Sequence, residues 1–165
     1  MTIFIGIDLG LKGAMGYIDG PRQGVADLPV VASAAGNRLN GRGVLDILRA
    51  WVPAGEPCTV VIEDVRPRPG NSTGRGGNTM HSQGSLMRSR GIVEAVCDIM
   101  PAQVVWVMPQ TWKRYYGLIG KDKNESRACA VRLLPSMAPM LARVKDDGRA
   151  ESLLLAYWGM RRAAE

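Results

Sequence analysis

Nothing in the 165 residues approaches the roughly 18 consecutive apolar positions that a membrane-spanning helix needs. The opening MTIFIGIDLG lacks the basic stretch that begins a secretory signal, so a cytoplasmic protein with no membrane partner is expected. Cysteine is scarce. Cys58, Cys97 and Cys129 are odd in number, widely spaced and set in apolar surroundings such as CTVVIE and EAVCDIM. That pattern argues against a disulfide framework or a zinc site and predicts buried free thiols. Histidine is scarcer still: the lone His81 lies in a Gly-rich polar stretch and reads as an exposed loop residue rather than a general base. No internal repeat is found. What remains is a chain of 46% hydrophobic residues, enough for one well-packed domain over residues 1–165 and too little for two full-sized ones. Its net charge of +6 and pI near 9.6 favour a polyanionic partner, because Lys and Arg neutralise phosphates and release their counterions.

The N-terminal TIFIGIDLG alternates and is rich in β-branched residues, and GAMGYIDG follows a short turn holding Gly10, Lys12 and Gly13. Together they read as a hairpin, which VADLPVV extends to a meander. Asn40 is placed to cap a helix through GRGVLDILRAWV, with Val44, Ile47, Leu48 and Trp51 on one face and Pro53 and Gly55 stopping it. CTVVIEDV, apolar with little alternation, suits a central strand buried on both faces. Residues 66–83 hold too much Gly and Pro to pack a core and are expected to form a mobile basic loop. Next come a helix in SLMRSRGIVEAVCDIM, a strand in QVVWVM, short helices in PQTWKRYYGLIG and KNESRACAVRLLP, and a closing helix from about Asp147 to Arg162. This order predicts an α/β protein: a mixed five-stranded sheet with helices on both faces, of ribonuclease H type.

Two carboxylates close apolar strands: Asp8 in IGIDLG and Glu63 in VVIED. Gly6 and Gly10, flanking Asp8, leave room for something to approach the backbone. A buried carboxylate costs several kcal/mol unless it is paired or binds a cation, so both ask for a partner. Asp147 and Glu151 lie four residues apart, one helical turn, on one face of the closing helix. Like charges at that spacing repel, and a divalent cation would remove the repulsion. Asp146 lies about 140° around the helix from Glu151 by its 3.6-residue geometry and is the weaker candidate. A set of hard oxygen ligands without thiols or imidazoles suits Mg²⁺, or Mn²⁺ in its place, rather than zinc. Two such ions, one activating water and one stabilising the leaving oxygen, perform phosphodiester hydrolysis. Arg66, Arg68 and Arg75 in the Gly-rich loop are candidate phosphate contacts, since a flexible basic loop follows a backbone without demanding one sequence. Trp112 reads as core, and Tyr115 and Tyr116 as either core residues or base-stacking platforms.

In order and spacing, IGIDLGLKGAMGYID, VVIEDVRPRPGN, SLMRSRGIVEAV, PQTWKRYYGLIGKDKNESR and DDGRAESLLLAYWG resemble the RuvC-type Holliday junction resolvases, especially their shorter phage relatives. The resemblance covers nearly the whole chain. It implies a ribonuclease H-like core, a homodimer, two-fold related cuts in a four-way DNA junction, and Mg²⁺-dependent hydrolysis leaving a 5′-phosphate. A phage origin would place the protein in the host cytoplasm. By position, Asp8 and Glu63 match the first two acids of that family and Glu151 the last, with Asp147 supplying the remaining one. Bacterial relatives commonly space the last two by three residues rather than four, which leaves Asp146 as the alternative to Asp147. Lys113, Lys121 and Lys123 fall in the family's DNA-facing basic region, Lys123 matching a lysine that supports catalysis by stabilising charge on the phosphate. The helix containing Gly91 resembles the dimer-forming helix. The region before it can carry a side chain that wedges at the junction centre, and here only Met80 or His81 is available.

Three other readings compete. An ATPase of the actin and sugar-kinase type shares the opening strand and Asp-Leu-Gly turn but needs two domains, for which this chain is too short. An RNA-processing nuclease of the same fold would use the same acids. A non-catalytic junction-binding protein would keep the fold without divalent-ion-dependent cleavage.

Overall fold

The computed structural model of the chain describes residues 2–66 and 79–165. Strands β1 (Ile3–Asp8), β2 (Ala14–Asp19) and β3 (Arg22–Asp27) form the expected antiparallel meander. The third strand lies earlier in the sequence than its apolar pattern suggested. The last ladder bond is from the Leu28 N–H to the Gly13 carbonyl at 3.0 Å, and the strand ends there because Pro29 has no N–H to extend it. Val30–Val31 (β4) therefore pairs with Arg38–Leu39 (β5) in a separate two-stranded sheet. Helix α1 (Gly41–Trp51) is capped by Asn40, whose side chain accepts the Gly43 N–H at 3.2 Å. Strand β6 (Cys58–Glu63) runs parallel to β1 and, on its other side, to β7 (Ala102–Val107). The sheet order is thus β3-β2-β1-β6-β7.

Between β6 and β7 runs α2 (Met80–Ile99), so the last residues assigned to the Gly-rich loop are helical. Thr79 and Ser82 cap this helix reciprocally: the Ser82 N–H donates to Thr79 Oγ1 at 3.1 Å and the Thr79 N–H to Ser82 Oγ at 2.9 Å. Serine in place of the usual Glu or Gln at the third helical position hid this start in the sequence. After β7 come α3 (Pro109–Tyr115), α4 (Lys123–Leu133), 3-10 turns at Pro135–Leu141 and Val144–Asp146, and α5 (Asp147–Ala163). Asp122 caps α4, accepting the Asn124 N–H at 2.7 Å and the Glu125 N–H at 3.3 Å.

Each face of the sheet carries its own core. Ile3, Ile5 and Ile7 of β1 with Val60 and Ile62 of β6 pack under α1 and α2, against Val44, Leu48, Val93 and Cys97. Val61 and Val107 face the other way, into Trp112, Cys129, Ala130, Leu153 and Leu154 of α3, α4 and α5. Glycine lets α5 lie directly on the strands. A Cβ on Gly6 would fall 1.9 Å from the Ser152 carbonyl oxygen, and one on Gly16 would fall 2.9 Å from the Leu153 nitrogen. What approaches the backbone at Gly6 is therefore a helix of this same chain, not a ligand. The three cysteines are free and buried as expected, burial pushing the Cys58 thiol up to about 12 and Cys97 to about 11. Among the described residues no helix is long and apolar enough to cross a membrane.

Candidate active site

Strand alternation decides which face the acids occupy. Gly6 meets α5, and Val61 packs in the core beneath α3, α4 and α5. Asp8 and Glu63, each two residues further along, project to that same face. Because β1 and β6 are parallel and their last registered pair is Ile7 with Ile62, the two acids leave the sheet side by side at its carboxyl end. Ligands bind at such ends in open α/β sheets. Helix α5 starts over them, supplying Asp147 in its first turn and Glu151 one turn later. Gly148 makes this approach possible, since a Cβ there would lie 3.0 Å from Asp8 Oδ2 and 3.1 Å from the Lys12 carbonyl oxygen.

The four acids share one electrostatic field. The Asp8 carboxyl is held well above its ordinary value, first by burial and then by the charges of Glu151, Glu63 and Asp147, while Lys123 acts the other way. Burial also raises Glu63, opposed by the Trp112 indole N–H, which donates to Glu63 Oε1 at 2.9 Å, and by the Lys113 charge. Lys123, the first residue of α4, pairs with Asp147 Oδ2 at 2.5 Å, and this contact raises its own pKa. Lys113 Nζ lies 3.6 Å from Glu151 Oε1 and 5.1 Å from the Trp112 ring centroid. The Ser126 hydroxyl donates to the same Glu151 oxygen at 3.4 Å. Lys121 is exposed beside the α4 cap.

An open cleft of about 810 Å³ lies at the start of α5, its wall including Asp8, Lys12, His81, Lys123, Asp147 and Glu151. His81 is in the first turn of α2 and on this wall, not in a loop. Glu63 is not part of the cleft wall, and neither is Asp146. The buried Asp146 carboxylate accepts the Arg143 backbone N–H at 2.8 Å and the Arg143 guanidinium at 2.7 Å, which holds its carboxyl below the usual range. Arg66 is largely exposed and donates to Asp64 Oδ2 at 3.0 Å, and Arg90 pairs with the other Asp64 oxygen at 2.6 Å. Arg68 and Arg75 lie outside the described residues. Trp112 is fully buried, Tyr116 donates its hydroxyl to the Leu154 carbonyl at 2.9 Å, and Tyr115 is 45% exposed.

Sequence reasoning missed Lys12 and Lys145 on the cleft wall, Ser126 against Glu151 and the indole bond to Glu63. Lys12 carried a signal, being in the turn that follows Asp8. Lys145 stands two residues before Asp147, whereas Ser126 and Trp112 reach the acids only through the packing of α3, α4 and the strands and helix that carry them.

The donor chemistry fits a divalent cation. Asp8, Glu63, Asp147 and Glu151 offer carboxylate oxygens, and the repulsion of the other three on the half-buried Asp8 is what a cation relieves. Among the described residues no three His, Cys, Asp or Glu side chains already form a compact metal-binding cluster.

No protein-family profile matches the chain. A stretch of 50 residues, 30% of this chain and 6% of the relative, is 44% identical to the chloroplastic Holliday junction resolvase MOC1 of Chlamydomonas reinhardtii. The whole fold superposes on RuvC of Thermus thermophilus. Against that protein in complex with a Holliday junction substrate the TM-score is 0.56 at 18% identity, covering 98% of this chain and 95% of the other. A second structure of Thermus thermophilus RuvC gives 0.53 at 18% identity, covering 97% and 96%. From the meander to the last helix, the chain has the ribonuclease H-like fold of RuvC, its acids gathered at the carboxyl end of the sheet.

Proposed function

We propose that this protein is a divalent-cation-dependent endonuclease that hydrolyses phosphodiesters in branched DNA, four-way junctions foremost, and works as a homodimer. The observation that carries this reading is the convergence of Asp8 and Glu63, side by side at the ends of β1 and β6, with Asp147 and Glu151 in the first turns of α5. That the matched relative is a Holliday junction resolvase and that the RuvC neighbour binds a Holliday junction substrate support the choice of substrate.

Asp8, Glu63, Asp147 and Glu151 would hold the metal. When bound, a pair of Mg²⁺ ions supplies activation of the attacking water and neutralisation of charge on the phosphate and leaving oxygen. Lys123 is held at the cleft by Asp147 and gives a fixed positive charge where a phosphate would gain negative charge. Lys12 and Lys145 on the wall, with Lys121 and Lys113 nearby and Arg66, Arg68 and Arg75 beyond β6, would follow the backbone through phosphate contacts. Helix α2 is the proposed dimer contact: a Cβ added at Gly84 or Gly91 meets nothing within 4 Å, which leaves space for a second backbone. Two copies would then present two sites for paired cuts.

The test is cleavage of labelled four-way junction, Y-shaped, duplex and single-stranded DNA, with an RNA control, in Mg²⁺, Mn²⁺ and EDTA. Metal-dependent paired nicks in the junction are expected. Binding without cutting would leave a structural junction binder, and cutting of RNA alone would move the protein to another branch of the fold.

A further inference from the structure

We infer that Trp112 is a positioning residue for Glu63, acting through its indole N–H rather than only as core filling; the inference rests on the nuclease reading above. In the described structure Glu63, Asp147 and Glu151 each have one oxygen held by a donor of the chain. Lys123 holds Asp147 Oδ2, Ser126 and Lys113 approach Glu151 Oε1, and Trp112 holds Glu63 Oε1. A carboxylate with one oxygen fixed and its rotation stopped presents the other to a cation in a single orientation, so less ordering is left for the moment of binding.

The donor at Glu63 is neutral, and that is its use. A lysine there would also fix the carboxylate, but its charge would repel the arriving cation and weaken the site. An indole fixes it without spending the negative charge that attracts the metal. Trp is suited to the position in a second way. The side chain is 0% exposed and lies in the core with Val61, Val107, Cys129 and Leu154, so its packing locks the direction of the N–H. The short helix α3 places Lys113 next in sequence, with its ammonium over the ring and toward Glu151. One turn of helix thereby orients two acids that belong to different elements.

Trp112→Phe keeps an aromatic ring in the core, removes the donor and leaves a small cavity, whose cost is read from the metal-free Tm. Ion binding is read directly, by Mn²⁺ titration calorimetry and by the shift of Tm with Mg²⁺. The variant is expected to bind either ion about 10–100-fold more weakly, the usual effect of removing a partner that orients a metal ligand. Its affinity for junction DNA in EDTA should equal that of the parent. In a Glu63→Gln background the same substitution should have no further effect on ion binding. A second measurement needs no tryptophan variant: of the four ¹⁵N-indole resonances of the parent, one should move on addition of Mg²⁺ and also on Glu63→Gln. Parental ion affinity in Trp112→Phe, or four indole signals indifferent to both changes, overturns the assignment. If the parent binds Mn²⁺ with help from Trp112 but cuts no branched DNA, the nuclease reading falls while the positioning role stands. If the parent binds no divalent ion, both fall.

Discussion

Asp8, half-buried at the cleft, faces three other acids, so replacing it by asparagine has two effects of opposite sign. Ion-dependent cleavage should fall by more than the about 10–100-fold that loss of an orienting partner costs, because Asn removes a ligand charge outright. The metal-free fold should become more stable, melting about 2–4 °C higher for each kcal/mol of repulsion relieved in a chain of this size. The pH dependence follows from the same residue. Its folded-state pKa is raised above an ordinary value near 3.8, so the folded protein binds this proton more tightly than the unfolded one. Metal-free stability must therefore fall as pH rises through the window between the ordinary and the raised value, and Asp8→Asn should lose that part of the slope. Thermal scans in EDTA across acidic to neutral pH measure both effects. A parent and variant with superimposable profiles would show that Asp8 is not under this strain.

Among the elements, α5 does most to assemble the site, and its seat depends on Gly6 and Gly16. Gly6→Val should cost more than about 4 kcal/mol, as backbone would have to move, and leave little folded protein. Gly91→Ala, in the open middle of α2, should be neutral or raise the stability of the monomer by about 0.5–1 kcal/mol. Circular dichroism melts of the two variants give the comparison. Helix α2 is tied to β6 by Arg90, which pairs with Asp64 at 2.6 Å and lies 4.0 Å over the Trp106 ring. Arg90→Met should cost about 1–3 kcal/mol by leaving a buried carboxylate short of a partner. Arg90 holds the Asp64 carboxyl below its ordinary value, so that contribution is present at neutral pH and is lost as pH falls through the folded-state value. Periodicity made most of these elements legible: the meander, the Asn40-capped helix, the central strand and the apolar closing helix. Two features were not. The end of β3 is set by Pro29, and the start of α2 by a Thr79–Ser82 cap that lacks the usual acidic or amide partner. Asp8 and Glu63 were visible because each closes an apolar run, and Asp147 and Glu151 because they lie one helical turn apart at the start of the apolar closing helix. Their supports, Trp112 and Ser126, were invisible because they belong to other helices and meet the acids only after packing.

At the scale of the whole molecule, a net charge of +6 is distributed so that Lys12, Lys123 and Lys145 ring a cleft whose floor is acidic. Polyanion affinity and catalysis are thus separable. Junction binding in EDTA should weaken steeply with salt, log K falling by about 0.9 per phosphate neutralised for each decade of salt, whereas Asp8→Asn should bind at least as well as the parent. Salt titrations by fluorescence anisotropy read both. The fold positions the acids, but what they hold decides whether the chain cuts or only binds, and this can be seen without any substrate. Crystals soaked in Mn²⁺ and measured for anomalous scattering should show density bounded by Asp8, Glu63, Asp147 and Glu151, reduced or absent in Asp8→Asn. Manganese found only at other acids, or none in the cleft at concentrations that saturate cleavage, would contradict a metal-dependent nuclease built on these four residues.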